Sequence, residues 1–284
     1  MVDPGWGMRV RSWNRVADGD ITDGAPDRTV PPTMPEADAP LLALPRDEVH
    51  LWLLDPGLWD AGALTARLRG WLSPDEAARM DRYVFPRHRW EYLATRALCR
   101  AALSRYAPVE PAAWRFRSNP WGRPEVASPA HSWLRFNLSN AEGLLACLVA
   151  RDREVGVDVE DTTRSVDTLA TSAHVFSAAE LAALRREAAG AQRARFFHYW
   201  TLKEAYIKAR GMGLAIPLDR FAFDLDAPDD VVRVALDPSL GDDAPSWQFA
   251  RLRPTPRHQL ALALRRGADA DLRVVIHDAA GLLG

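Results

Sequence analysis

The chain has 284 residues, which at roughly 150 residues per domain corresponds to about two domains or two linked subdomains. Hydrophobic residues make up 48% and charged residues 26%, a balance typical of globular proteins that excludes full-length disorder and fibrous repeats. The formal net charge of −2 lacks the basic excess of a protein that neutralises many phosphates, so nucleic acid is not an expected partner.

Cysteine usage and apolar runs give expectations about the compartment. Cys99 and Cys147 have apolar neighbours and no metal-ligand spacing, so we expect two buried, reduced thiols. The longest apolar stretch, 144–150, is too short for a membrane span. Arg9 and Arg11 are not followed by the apolar segment of a secretion signal. These features predict a cytoplasmic protein with no membrane partner.

The N-terminal segment differs in composition from the rest of the chain. Residues 17–40 are rich in proline and aspartate and contain few apolar residues that could be buried. Such a segment cannot offset the entropy cost of ordering its backbone. We therefore expect residues 1–45 to form a disordered leader.

Apolar periodicity predicts two halves, 46–154 and 155–284, with the same coarse order of strands and helices. Predicted strands lie at 49–54, 114–116, 134–138, 144–151, 155–160, 221–225, 247–252, 260–264 and 272–277. Predicted helices lie at 59–69, 86–106 and 192–209, and capping boxes at Ser73 and Ser177 mark two further helix starts. This order predicts an α+β fold.

Two carboxylates lie in the predicted strand at 155–160. Because strand side chains alternate, Asp158 and Glu160 point to one face, and Val157 and Val159 point to the other. Two carboxylates on one face repel each other. Two interpretations stay open: a solvated strand edge, which so short a pattern favours, or a site where Mg²⁺ offsets the charge.

The predicted helix at 192–209 carries a second charged segment. A spacing of four residues places Trp200, Glu204 and Lys208 on one stripe, with Lys203 beside it. A surface helix with a Glu–Lys pair is one interpretation. The large aromatic residue on the same stripe indicates instead that Glu204 and Lys208 are partly enclosed, where a carboxylate and two lysines suit a metal-bound polyphosphate.

Residues on either side of this helix have structural explanations of their own. Gly211 and Gly213 fit a helix C-cap followed by a turn as well as a close backbone approach to a ligand. Ser177 and Glu180 have the spacing of a capping box, which accounts for Glu180 by itself.

Three short segments occur in a fixed order along the chain. They are Gly-Val-Asp-Val-Glu at 156–160, Phe-Ser-Ala-Ala-Glu at 176–180, and Trp-Thr-Leu-Lys-Glu-Ala-Tyr-Ile-Lys at 200–208. Together they resemble the 4′-phosphopantetheinyl transferase superfamily, in its two-half Sfp-type subclass. Weaker matches at 85–87, Arg96, 122–124 and 136–139 extend the resemblance over roughly residues 47–270.

The resemblance implies an enzyme that transfers the 4′-phosphopantetheine arm of coenzyme A to a serine of an apo acyl, peptidyl or aryl carrier protein. The reaction would depend on Mg²⁺ and release adenosine 3′,5′-bisphosphate. Asp158, Glu160 and Glu204 are implied as metal ligands, and Glu204 also as the base for the carrier serine. The implied catalytic residues are Glu204, Lys208 and Asp158, and the implied coenzyme contacts are Arg87, Arg123, Ser139, Asn140, Lys203 and Lys208.

The fold implied by the resemblance is two similar α/β halves in one chain, related by a pseudo-twofold, with coenzyme A in the cleft between them. Because both halves lie in one chain, a monomer is expected to suffice.

The chain departs from the family pattern at two positions. Asn140 stands where the family commonly has a histidine, and asparagine donates a hydrogen bond but carries no charge. Arg123 replaces the more frequent lysine and keeps the charge. Two other functions stay open: a coenzyme A-binding protein without turnover, and a Mg²⁺-dependent phosphohydrolase.

Overall fold

The computed structural model describes residues 40–226, 232–266 and 270–283. The expected disorder of residues 1–39 lies outside the described residues. For residues 40–45 the expectation is wrong, because Leu44 is buried in the core and the amide of Leu42 donates to the carbonyl oxygen of Arg105. Mixed helices and strands confirm the expected α+β class. In chain order the main elements are β1 (Glu48–Leu54), α1 (Ala61–Arg69), α2 (Pro74–Asp81), α3 (Pro86–Ser104), β2 (Phe116–Ser118), β3 (Pro124–Val126), β4 (Leu134–Ala141), β5 (Leu144–Arg151), β6 (Val155–Asp161), α4 (Thr168–Val175), α5 (Ala178–Arg186), α6 (Ala189–Arg210), β7 (Phe221–Asp224), β8 (Arg233–Leu236), β9 (Trp247–Thr255), β10 (His258–Arg265) and β11 (Arg273–Asp278).

The first sheet has the strand order β11-β1-β5-β4. Strand β1 is antiparallel to β5 and parallel to β11. The last strand of the chain, which the sequence division assigns to the second half, therefore belongs to the sheet of the first half. One face of this sheet packs against α3, where Leu98 and Leu103 of the helix join Trp52 and Leu145 in one buried cluster.

The second sheet has the order β6-β10-β9, and α6 packs across one of its faces. Gly156 explains how close the helix lies to the strand. A Cβ at this position would lie 2.0 Å from the carbonyl oxygen of Ala205 and 2.5 Å from the amide nitrogen of Ala209. Only glycine permits this approach, which brings the side chains of α6 directly over β6.

The two sheets pack face to face through a layer of aliphatic side chains. Val157 and Leu262 of the second sheet lie in the same buried cluster as Leu51 and Leu148 of the first. The helices α3 and α6 thus cover the two outer faces. This arrangement matches the general rule that each sheet face in a domain is buried against another layer.

The open edge of β6 is closed by side chains of β4. The amide of Val157 donates to Asn137 Oδ1 at 3.0 Å, and the amide of Val159 donates to Ser139 Oγ at 3.1 Å. Alternate residues of β4 thus satisfy alternate amides of an edge strand that would otherwise lack partners. The strand pair β4 and β6 is the seam between the two halves.

The predicted elements agree with the structure within a few residues. The capping boxes at Ser73 and Ser177 are both present, and Cys99 and Cys147 are both buried. Arg100 of α3 is buried, and its guanidinium pairs with Glu76 at 2.5 Å. Within the described residues, no helix has the length and apolarity needed to cross a membrane.

Candidate functional site

The site begins with Asp158, which faces α6 at the seam between the halves. Its side chain is 7% exposed, so the interpretation as a solvated strand edge is wrong. Lys208 Nζ lies 2.6 Å from Asp158 Oδ1, and Ser139 Oγ donates to the same oxygen at 3.0 Å. Lys208 Nζ also donates to Ser139 Oγ at 3.1 Å. The three side chains come from β6, α6 and β4 and form one buried polar cluster.

One oxygen of this cluster is incomplete. Asp158 Oδ2 is buried and has no hydrogen-bond partner among the described residues. Burial raises the pKa of Asp158 in spite of the opposing effect of Lys208 and Ser139. A buried acceptor without a donor is rare in folded proteins and costs free energy. Asp158 Oδ2 is therefore the oxygen of the cluster that can accept a bond from a cation without losing an existing hydrogen bond.

Glu204 lies on the same face of α6 as Lys208, one turn earlier. Burial, together with the negative charges of Asp158 and Glu160, raises the pKa of Glu204 to about 7. Among the described residues no group donates a hydrogen bond to this carboxylate. A carboxyl group with a pKa near neutrality can accept a proton from substrate at physiological pH and release it again.

Glu160 completes the acidic face of β6. Its Oε1 accepts from Trp200 Nε1 at 2.8 Å, and its Oε2 lies 2.8 Å from Arg164 Nε. Burial and the nearby Asp158 raise the pKa of Glu160, and Arg164 opposes this rise. Glu160 borders an open cavity of about 680 Å³ whose lining also includes His88, Glu91, Asn140, Glu142, Asp161, Arg164, Trp200 and Arg257.

These three carboxylates fit a hard divalent cation in their chemistry. They are oxygen ligands, Asp158 keeps one buried oxygen without a partner, and the negative charge of Asp158 contributes to the raised pKa values of Glu160 and Glu204. Within residues 40–226, 232–266 and 270–283, no three such side chains already stand close enough to form a metal site. A cation would therefore have to draw the carboxylates together.

Comparison with known proteins identifies the family. The profile described as "4'-phosphopantetheinyl transferase superfamily" matches residues 154–264, which include both acidic strand residues and all of α6. The chain is 33% identical to the 4'-phosphopantetheinyl transferase HetI of Nostoc sp. over 226 residues, 79% of this chain and 91% of the relative. The chain belongs to the 4′-phosphopantetheinyl transferase superfamily.

Other relatives agree with this assignment. A phosphopantetheinyl transferase of Thraustochytrium sp. is 29% identical over 253 residues, covering 84% of this chain and 87% of the relative. The 4'-phosphopantetheinyl transferase Sfp of Bacillus subtilis is 27% identical over 156 residues, covering 55% and 67%. The expected enzyme class is thus confirmed by named members of the superfamily.

Lys203 does not lie where the family resemblance implied. Its ammonium group is 1% exposed and lies 2.8 Å from Glu180 Oε2, and it donates to the carbonyl oxygens of Leu218 and Phe221. A phosphate in the cleft therefore cannot reach it without unfolding this corner of the chain. Glu180 likewise does more than cap its helix, because it also accepts from the amide of Phe223.

Arg123 also has a structural place in this member of the superfamily. Its guanidinium donates to the carbonyl oxygen of Ala209 at 2.7 Å and to Glu125 at 2.9 Å. Gly211 ends α6 with a positive φ of 66°, and a Cβ there would lie 2.4 Å from the Arg123 guanidinium carbon. The close approach at Gly211 is therefore to the Arg123 side chain and not to a ligand. Arg123 connects the first half to the end of α6.

Arg87 and Asn140 lie at the open side of the site. Arg87 is exposed and lies 3.4 Å from Glu142, a residue that lines the same cavity as Glu160. Asn140 is exposed in β4 next to Ser139 and lines that cavity as well. Both side chains are free to turn toward a bound molecule.

Sequence reasoning did not find two further features of the site. The first is the pair Trp200 and Arg164 on Glu160; the aromatic stripe of α6 was a signal for Trp200, but nothing in the sequence indicated Arg164. The second is a cavity of about 290 Å³ on the first half, whose lining includes Asp75, Glu76 and five arginines: Arg79, Arg96, Arg100, Arg115 and Arg117. Arginines at helical spacing in α3 were its only signal in the sequence.

Proposed function

We propose that this protein transfers the 4′-phosphopantetheine arm of coenzyme A to a serine of an apo carrier protein, with Mg²⁺ at Asp158, Glu160 and Glu204. Its named relatives are phosphopantetheinyl transferases. The observation that carries the proposal is the incomplete cluster at the seam. Asp158 has a buried oxygen without a partner beside a glutamate whose pKa is about 7.

Glu204 is the proposed base. In the transfer, the serine oxygen bonds to the phosphorus that carries the pantetheine arm, and the bridging bond of the pyrophosphate breaks. Adenosine 3′,5′-bisphosphate leaves with the electron pair of that bond. The serine proton goes to the carboxylate of Glu204, to which no group among the described residues donates a hydrogen bond.

Lys208 and Asp158 supply the electrostatics of the step. A bound divalent cation would neutralise charge on the pyrophosphate oxygens. Lys208 is 28% exposed and lies within 2.6 Å of Asp158, so its positive charge already stands next to the place where negative charge develops. Fixed charges of this kind stabilise a transition state without reorganisation. Ser139 holds both side chains in position through its hydroxyl group.

The nucleotide end of coenzyme A is proposed to use arginines of the first half. Asn140 lines the cavity beside Glu160, and Arg87 pairs with Glu142 of the same lining. The arginine-lined cavity of the first half offers the guanidinium groups of Arg79 and Arg96, which lie over the ring of Tyr92, for further phosphate oxygens. A pseudo-twofold relation between the halves and a monomeric state stay predictions.

The test is intact-protein mass spectrometry of apo carrier proteins. Acyl, peptidyl and aryl carrier domains are each incubated with this protein, coenzyme A and Mg²⁺, with a chelator in a parallel reaction. The matched control is a carrier whose acceptor serine is replaced by alanine. We expect a gain of one phosphopantetheine group that depends on both the cation and the serine, together with release of adenosine 3′,5′-bisphosphate.

Two results would contradict the proposal. Coenzyme A cleaved in the absence of any carrier would identify a phosphohydrolase. Coenzyme A bound in calorimetry with no carrier modified would identify a binding protein without turnover.

A further inference from the structure

The Arg164 guanidinium contacts both carboxylate oxygens of Glu160. Its Nε lies 2.8 Å from Glu160 Oε2, and its Nη2 donates to Glu160 Oε1 at 3.2 Å. This is the two-bond fork that guanidinium groups form with carboxylates. Trp200 donates to Oε1 as well, so the carboxylate already has three donors. Glu160 is thus complete where Asp158, on the same strand face, is not.

The turn after β6 fixes the place of Arg164. Asp161 Oδ1 accepts from the amide and the hydroxyl of Thr163 at 2.8 and 2.7 Å, and the amide of Arg164 donates to the carbonyl oxygen of Asp161. Arg193 donates to the carbonyl oxygens of Thr162 and Arg164 from the side of α6. The backbone of the turn is therefore held from two sides. These contacts place Arg164 next to Glu160 and do not involve the Arg164 side chain.

The Arg164 side chain itself is free to leave. It is 39% exposed, whereas Glu160 is 18% exposed. Its guanidinium lies 5.5 Å from the ring centre of Phe197. It can keep this cation–π contact while it breaks one or both hydrogen bonds to the Glu160 oxygens. An ion pair with one exposed partner is weak, so a competitor for the carboxylate can displace the guanidinium.

We propose that Arg164 competes with the divalent cation for Glu160, so that cation binding requires Arg164 to withdraw from this carboxylate. The inference rests on the metal site of the proposed function. A cation and a guanidinium cannot share the same carboxylate oxygens without strong repulsion. Arg164 would therefore lower the affinity of the site for the cation and keep Glu160 paired until the cation arrives.

The test measures Mn²⁺ binding rather than activity. Mn²⁺ is titrated into the full chain and the free ion is followed by electron paramagnetic resonance, for the native sequence, Arg164→Gln, Arg164→Lys and Arg257→Gln. Arg257→Gln is the matched control, because Arg257 lines the same cavity and pairs with Asp161 at 2.6 Å, one residue from Glu160. Both glutamine variants remove one positive charge from the same cleft.

We expect Arg164→Gln to bind Mn²⁺ about two- to fivefold more tightly than the native chain, the range of a weak ion pair. Arg164→Lys is expected to fall in between, because it keeps the charge and loses the fork. Arg257→Gln is expected to change binding less than Arg164→Gln does. Circular dichroism and thermal unfolding establish that each variant is folded.

Three outcomes would overturn the inference. Equal gains in Arg164→Gln and Arg257→Gln would mean that net charge alone matters. Weaker binding in Arg164→Gln would mean that Arg164 positions Glu160 for the cation instead of competing for it. No Mn²⁺ bound by any variant would remove the metal site, and the inference with it, while the carrier modification assay decides separately whether transfer occurs.

Discussion

Two lysines of α6 form ion pairs with carboxylates, and the two pairs differ in how complete they are. Lys203 and Glu180 are 1% and 0% exposed, and the Glu180 oxygens also accept from Ser177 and the amide of Phe223. Lys208 and Asp158 are 28% and 7% exposed, and one Asp158 oxygen has no partner among the described residues.

This difference distinguishes an ion pair that stabilises the fold from one that can take part in a reaction. A buried ion pair whose hydrogen-bonding groups are all satisfied has nothing left to offer a substrate, and it fixes α5, α6 and β7 relative to one another. The pair at the seam leaves one oxygen of Asp158 without a partner among the described residues, and its Lys208 side chain is 28% exposed. Glu204 lies beside this pair and has a raised pKa. Perturbed groups that lack partners are the more reliable sign of a functional site.

The largest expected effect is on transfer by the seam residues. Glu204→Gln removes the base and Asp158→Asn removes a ligand charge, so we expect each to reduce kcat by about 10³-fold or more, within the range known for general-base catalysis and charge stabilisation. Initial rates on an apo carrier measure this. Rates within threefold of native in either folded variant would contradict the assignment of the site.

The next effect concerns stability at the complete pair. Lys203→Met leaves the Glu180 charge buried without compensation, so we expect the free energy of unfolding to fall by about 3–5 kcal/mol. Lys208→Met also leaves a buried carboxylate, Asp158, without its partner, but this pair is 28% exposed at the lysine, so we expect a smaller loss of about 1–3 kcal/mol. Urea unfolding compares the two variants. Equal losses would show that the pairs do not differ as described.

In an activity assay, the order of the two positions should be reversed, with position 208 the more sensitive one. Lys208→Met removes a positive charge beside the developing negative charge, and we expect a loss of about 10²- to 10³-fold in kcat with the fold intact. Lys208→Arg serves as the charge-retaining control and is expected to recover part of the rate. An unchanged rate in Lys208→Met would make its ion pair structural, like that of Lys203.

The smallest expected effect follows from the raised pKa of Glu204. The folded state holds this proton up to about pH 7, whereas the unfolded chain releases it near the ordinary value of 4.5. The free energy of unfolding therefore falls as pH rises from 4.5 to 7. Without divalent cations, we expect Glu204→Gln to be about 2–3 kcal/mol more stable than native at pH 8 and equal to it below pH 4.5. Urea unfolding at pH 4 and pH 8 measures this, and an equal difference at both pH values would exclude a titration of Glu204.

Much of the fold could be predicted from local pattern. The strand at 144–151 and the helix start at Ser73 follow from apolar runs and capping chemistry, which depend on neighbours in sequence. The placement of β11 beside β1 could not be predicted, because parallel pairing of residues near 50 and 275 leaves no trace in either segment. The burial of Arg100 could not be predicted for a similar reason, because its partner Glu76 lies on another helix.

The sequence by itself indicated the family and the enzyme class through its resemblance to known members. Spacing along one strand and one helix predicted which residues of the seam share a face. Tertiary structure alone decided which charges are satisfied. Lys203 pairs with Glu180 away from the cleft, Arg123 donates to a carbonyl oxygen near the end of α6, and Arg164 pairs with Glu160. Burial and the count of partners around a charge depend on elements far apart in the chain, and these two quantities decide whether the charge remains free to act on a substrate.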